Sequence, residues 1–212
     1  MSREIDKEHS VGILTVFTDG TFMLKNVPTW YAQFAHPKPF EEGAAEKYSL
    51  TAFLDKTEHK REIKILEELI RENMAEGCDW GDVANKNRCL LDGKKIKNVD
   101  EDSPLTKMFR VRFSANADYP PAIRNASGEK LNRRIPEEME EIEKLNSNGR
   151  IATILSSFYG WKHKTYGEGM TLNLLAIKLS NKFTDLKLGA SAANDGDDLD
   201  WDDDEDDDGD DF

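Results

Sequence analysis

The sequence predicts a mainly β fold: a five-stranded Greek-key barrel with one connecting helix, long loop insertions and a disordered acidic tail. Three observations carry this reading. Short β-branched and aromatic runs, separated by turn residues, dominate the first 54 positions and recur after position 107. Between them the apolar period changes once to that of a helix. The whole excess of charge sits at one end of the chain.

The elements follow in order. Val11 to Phe17 is apolar and β-branched, and Thr18-Asp19-Gly20-Thr21 separates it from Phe22-Met23-Leu24. Asp-Gly between apolar runs signals a hairpin, because glycine accepts the positive φ of such turns. A third extended stretch covers about 29–35 and stops at Pro37-Lys38-Pro39; a fourth, Tyr48 to Leu54, follows a loop containing Glu41, Glu42 and Gly43. Ile63, Leu66, Ile70 and Met74 then fall at helical spacing within 58–76, with Thr57 as N-cap and Gly77 at the C-terminal turn. Strand signals resume at about 108–115, 151–159 and 170–179, with a short strand expected near Cys89-Leu90-Leu91. Insertions at about 79–106 and 118–148 lie between them. The second holds a short helix, Pro136 to Leu145, whose early glutamates suit the helix dipole.

Strands, one helix, then more strands is the order of an OB-fold, in which a helix between the third and fourth strands plugs the barrel. The 58–76 helix is expected in that place, and the 136–145 helix is expected to be an addition to the plan. The domain is expected to span 1–188, with a linker and acidic tail over 189–212.

Of the 42 acidic residues, 13 fall in 195–212, where no Lys or Arg occurs, so the preceding 194 residues carry 29 acids against 29 bases. A formally neutral body can carry a basic groove, whereas dense like charge with little apolar content keeps a tail unfolded. Cys78 and Cys89 are the only cysteines and the four histidines are scattered, so no four-ligand zinc pattern exists and no metal or cofactor is expected. The two thiols fit a reducing compartment, with a single disulfide left open. The opening residues are charged, unlike a signal peptide, and no apolar run approaches a membrane span. These features point to the cytoplasm.

The densest local signal is Phe158-Tyr159-Gly160-Trp161-Lys162-His163-Lys164-Thr165-Tyr166. Unpaired strands are held by cations on phosphates and by bases stacked on rings, the latter worth about 1–3 kcal/mol per base. Tyr159, Trp161, Lys162, Lys164 and Tyr166 are therefore candidate DNA contacts; the alternative is that the rings cap the core. In Phe109-Arg110-Val111-Arg112-Phe113, alternation turns Arg110 and Arg112 outward together as a ladder for phosphates, which Arg150 could join. Paired surface arginines are the alternative. In Trp30-Tyr31-Ala32-Gln33-Phe34, the same rule sends Trp30 and Phe34 to the core and leaves Tyr31 for a base. Lys94, Lys95 and Lys97 form a basic loop, either DNA-binding or simply solvated. Trp201 and Phe212 are apolar anchors in an acidic run, with Asp210 and Asp211 beside the last. A ring next to a terminal carboxylate suits a basic-rimmed pocket on a partner.

Three stretches resemble the phage-encoded single-stranded DNA-binding proteins with an OB-fold and an acidic, phenylalanine-terminated tail. They are Tyr31-Ala32-Gln33-Phe34-Ala35-His36-Pro37 continuing to Lys47-Tyr48-Ser49-Leu50-Thr51, then Gly167-Glu168-Gly169-Met170-Thr171-Leu172-Asn173-Leu174, and Asp206-Asp207-Asp208-Gly209-Asp210-Asp211-Phe212. The resemblance implies single-stranded DNA as ligand in phage replication, recombination and repair, in the cytoplasm of an infected host. It also implies tail contacts to replication proteins such as the polymerase, and is compatible with a homodimer.

Two other classes use the same residues. An acidic chaperone or DNA mimic needs the tail but no stacking groove. A metal-dependent nuclease needs acids converging on a rigid scaffold, and the body shows no such spacing, so no enzymatic activity is expected.

Overall fold

The computed structural model describes residues 3–39, 45–96 and 99–186. Lys97, the 189–194 linker and the tail with Trp201, Asp210, Asp211 and Phe212 lie outside the described residues, as does the 41–43 part of the loop.

The described chain runs β1 (Ile5–Val11), β2 (Leu14–Phe17), β3 (Thr21–Lys38), β4 (Lys47–Asp55), α1 (Lys60–Glu72), β5 (Leu90–Asp92), β6 (Met108–Asn116), β7 (Ala122–Arg124), β8 (Lys130–Leu131), α2 (Pro136–Leu145), β9 (Arg150–His163) and β10 (Gly167–Phe183). Five of these strands close on themselves: β3 pairs with β4, β4 with β6, β6 with β10, β10 with β9, and β9 returns to β3. All these pairs are antiparallel except β6 with β10, where Phe113 meets Leu172 in parallel. This is the five-stranded barrel of an OB-fold, as the sequence predicts. β1 and β2 extend it beyond β3, and β7 with β8 extends it beyond β10.

Closure depends on β3, one strand of 18 residues where the sequence suggests two. Asn26 and Tyr31 take positive φ values of 54° and 50°, and the ladder shifts register around each. Such bulges bend a strand and strengthen its twist, which lets one segment serve β9 at its start and β4 at its end. Asn tolerates the left-handed region; a tyrosine does so only when its surroundings hold it. Here the Tyr31 amide donates to Asn148 Oδ1 at 2.9 Å. The bulge also changes facing: Phe34 enters the barrel, while Trp30 and Tyr31 join a second cluster with Phe53. Gly12, at φ +50°, likewise divides the predicted 11–17 strand into β1 and β2, because Val11 pairs with Leu14 around it.

The roles of the two helices are the reverse of those expected. α1 follows β4 and so lies between the second and third barrel strands. α2 lies between the third and fourth, where the OB plan has its helix. α2 buries Ile142 and Leu145, with Met139 packed against the same core. α1 buries Ile63, Leu66, Leu69 and Ile70. The 79–106 insertion is also packed: Trp80, Val83, Cys89 and Leu90 enter the main core. Leu91, Ile96 and Leu105 cover the outer barrel face around Trp30 and Phe53, whose rings meet edge-on at 5.4 Å.

Candidate nucleic-acid interface

Alternation along β4, β6, β10 and β9 decides what the barrel shows to solvent. Leu50, Phe113, Leu172 and Leu174 fill the interior. Between them Ser114, Thr171 and Asn173 face outward, and with Lys47, Asn116 and Tyr119 they line an open groove of about 530 Å³. Tyr159, paired with Thr171 across β9 and β10, stands at its side. Tyr119 is 77% exposed and Tyr159 58%, large values for aromatic rings beside a pocket. Among the described residues the lining carries a lysine and no carboxylate. Hydroxyls and amides on the floor, exposed rings at the edge and a cation nearby are the chemistry that planar polar bases and phosphates require.

The β9–β10 hairpin extends past this groove. Trp161 is half-buried, lying on Gly169, where a Cβ would come within 2.3 Å of the indole. Its Nε1–H donates to Thr171 Oγ1 at 3.2 Å, which ties the indole to a groove residue. At the tip, Tyr166 stacks on His163 with centroids 4.8 Å apart, and Tyr166 itself is 67% exposed. The His163 Nδ1 lone pair accepts the amides of Thr165 and Tyr166, fixing the turn. Lys162 points the other way, since neighbours in a strand alternate: its ammonium donates to the Gly77 carbonyl at 3.3 Å, beyond the end of α1. The five candidates at 159–166 thus divide between two faces. Lys164 is exposed near the tip.

The expected arginine ladder is corrected. Arg110 does face away from the core, but the 79–106 insertion covers it and leaves it 5% exposed. Burial, with Arg112 beside it, pulls its guanidinium down to about 9. Arg112 is half-buried, its guanidinium also pulled down by burial, and it donates to the Lys86 carbonyl at 2.8 Å. It lies two residues from Ser114 and so adjoins the groove. Arg150 is a structural group: it donates to the Ser180 carbonyl and to Ser147 Oγ, and lies 4.6 Å from the Phe183 ring centroid. Tyr31 is partly buried in the outer cluster. Lys94 and Lys95 are exposed on a 3₁₀ turn that does not line the groove.

Sequence reasoning missed Lys47, Ser114, Asn116, Tyr119, Thr171 and Asn173 as groove residues. Only Tyr119 carried a usable signal: it precedes Pro120-Pro121, which restrict the backbone before them. Both Cys78 and Cys89 are free thiols, and burial pushes Cys89 up to about 12. Among the described residues no group of three or more His, Cys, Asp or Glu is placed to hold a metal ion, and no helix is long and apolar enough to cross a membrane.

Fold and groove together define an OB barrel with an open, ring-edged outer face. No family model and no curated protein matches the chain. Among solved structures it is similar to the single-stranded DNA-binding protein from bacteriophage Enc34 in complex with ssDNA, with a TM-score of 0.70 and 23% identity over 89% of this chain and 99% of that one. A second structure of the same phage protein gives 0.67 and 21%, over 92% and 100%. Its C-terminal truncation gives 0.66 and 22%, over 82% and 94%. At these identities the likeness establishes the fold.

Proposed function

We propose that this chain binds single-stranded DNA along the outer face of its barrel, with little sequence preference. The observation that carries the reading is the groove edged by Tyr119 and Tyr159, with Lys47 beside it and hydroxyls and amides on its floor. Exposed rings give bases of any identity a stacking surface, and cations neutralise phosphates. The structural likeness to a phage protein in complex with ssDNA supports the same ligand. Tyr166 and Lys164 at the hairpin tip, and Arg112 beside the floor, extend the contact surface. Tyr31 and Arg150 serve it indirectly, by fixing a strand bend and a strand end. Trp161 contributes a ring face, and Lys162 holds the hairpin against α1.

The wider reading places the protein in phage DNA replication, recombination and repair, in the cytoplasm of the infected host. The acidic tail competes with DNA for the barrel and recruits replication proteins through Trp201, Asp210, Asp211 and Phe212. Tethering gives such a competitor an effective concentration on the order of millimolar.

Titrating the protein with oligo-dT at increasing salt tests this directly. Affinity should fall steeply through counterion release, and Tyr159→Ala should weaken binding by about 5- to 150-fold, one stacked base at ~1–3 kcal/mol. Removing 195–212 should tighten binding. A tailless protein that ignores oligo-dT even in dilute salt would refute the proposal and favour an acidic chaperone.

A further inference from the structure

The segment joining β4 to β6 touches the β9–β10 hairpin at three separate points. On one face, the backbone just after α1 presses on Gly160 so closely that a Cβ there would lie 2.4 Å from Asn73 O and 2.5 Å from Ala75 N. A little further along, Lys162 Nζ reaches the Gly77 carbonyl. At the turn, the Asn87 side-chain amide donates to two carbonyls at once, Tyr166 O at 2.8 Å and Glu168 O at 3.1 Å. Those carbonyls flank Gly167, whose φ of +74° makes the turn. One planar amide therefore spans both sides of the bend, using both of its N–H donors. The preceding residue, Lys86, accepts Arg112 through its carbonyl, so the same two positions also bind the barrel face.

A 14-residue strand and a 17-residue strand joined by a short turn make a long ribbon, and residues 162–167 at its far end are exposed. Unsupported, such a tip samples many orientations, and ordering it on binding would cost affinity. Resting on the single-strand reading above, we infer that the β4–β6 connection is a bracket holding this hairpin. Asn87 is its positioning residue, presenting Tyr166 to an unpaired nucleotide. Asn87 itself touches no base; it acts through the orientation of the tip.

A double-mutant cycle in the full chain tests this, with oligo-dT affinity as readout. Asn87→Ala should weaken binding about three- to tenfold, two neutral hydrogen bonds of modest net worth being lost. In a Tyr166→Ala background the same change should cost less than about twofold, because the residue being positioned is gone. Asn87→Asp, which keeps the shape and exchanges donor for acceptor, provides a second variant for the same cycle and guards against a folding defect in the first. Amide exchange should quicken at 164–168 in both variants and stay unchanged in β4 and β6. If wild-type protein ignores oligo-dT, the function proposed above fails and takes the bracket with it. If wild type binds while the Asn87 variants bind equally well, or their losses persist undiminished without Tyr166, the bracket alone is overturned.

Discussion

Gly160 offers the sharpest test of how the hairpin is seated. In an ordinary strand, replacing glycine with alanine stabilises by about 0.5–1 kcal/mol, because glycine loses more backbone entropy on folding. Here the new methyl would meet Asn73 O at 2.4 Å, Ala75 N at 2.5 Å and Met74 C at 2.7 Å. All three are backbone atoms of the turn just after α1, so none can swing aside as a side-chain tip would. Overpacking of this kind costs about 1–3 kcal/mol, leaving Gly160→Ala less stable by about 1–2 kcal/mol net. For a domain of this size that lowers the melting temperature by about 2–8 °C. Gly160→Val should melt lower still, although valine has much the higher strand propensity. Thermal unfolding followed by circular dichroism decides the matter. An order of stability rising from Gly to Ala to Val would mean that propensity governs this position and that the segment after α1 does not press on the hairpin.

Three further outcomes follow from single contacts. Gly169→Ala should displace the Trp161 indole, break its bond to Thr171 Oγ1 and red-shift tryptophan emission; an unshifted spectrum would mean the ring does not lie on Gly169. Arg150→Ala should cost about 2 kcal/mol of stability through its lost hydrogen bonds to Ser180 O and Ser147 Oγ, with oligonucleotide affinity of the folded protein little changed. A fall in affinity at unchanged melting temperature would instead make Arg150 a phosphate contact. The Asp55 carboxyl sits below its ordinary value because the amides of Glu58 and Thr57 donate to it. Its contribution is therefore complete at neutral pH and lost as pH falls below about 4, through the lowered native value. Asp55→Asn keeps an acceptor that does not titrate, so urea midpoints at pH 7 and pH 3 should differ less in the variant than in wild type.

Much of the barrel could be read from local signals, and the errors share one cause. The Asp19-Gly20 turn, the strand at 108–116 and the helix at 136–145 each depend on a few neighbouring residues, and all stand where the pattern puts them. What depends on distant pairing was misread. The apolar runs at 22–24 and 29–35 read as separate strands, yet Asn26 between them takes a left-handed bend inside one strand that serves both β9 and β4. Which helix fills the OB position depends on β6 pairing with β10, a contact between residues about 60 apart. Site residues divide in the same way. The exposure of Tyr159 and Tyr166 follows from rings set among charged neighbours at a strand end. Alternation placed Arg110 on the outer face correctly but could not see the insertion folded over it. Tyr119 comes from the connection after β6 and Lys47 from the start of β4, and they meet only through the barrel.

The two helices explain why the groove can be open without the barrel being loose. A small barrel has one face to spare for a ligand only if the remaining surface is covered. α2 packs Ile142 and Leu145 into the main core from the connection before β9. The segment after α1 first reaches the hairpin through Gly77 and Asn87, then covers the outer face around Trp30 and Phe53. The stretch of outer face around Ser114, Thr171 and Asn173 is left uncovered between these supports. Its polar floor needs no apolar cover, since hydroxyls and amides remain satisfied in water or against a ligand. Rings at its edge are the part that water does not satisfy, and an unpaired base is the flat partner that would.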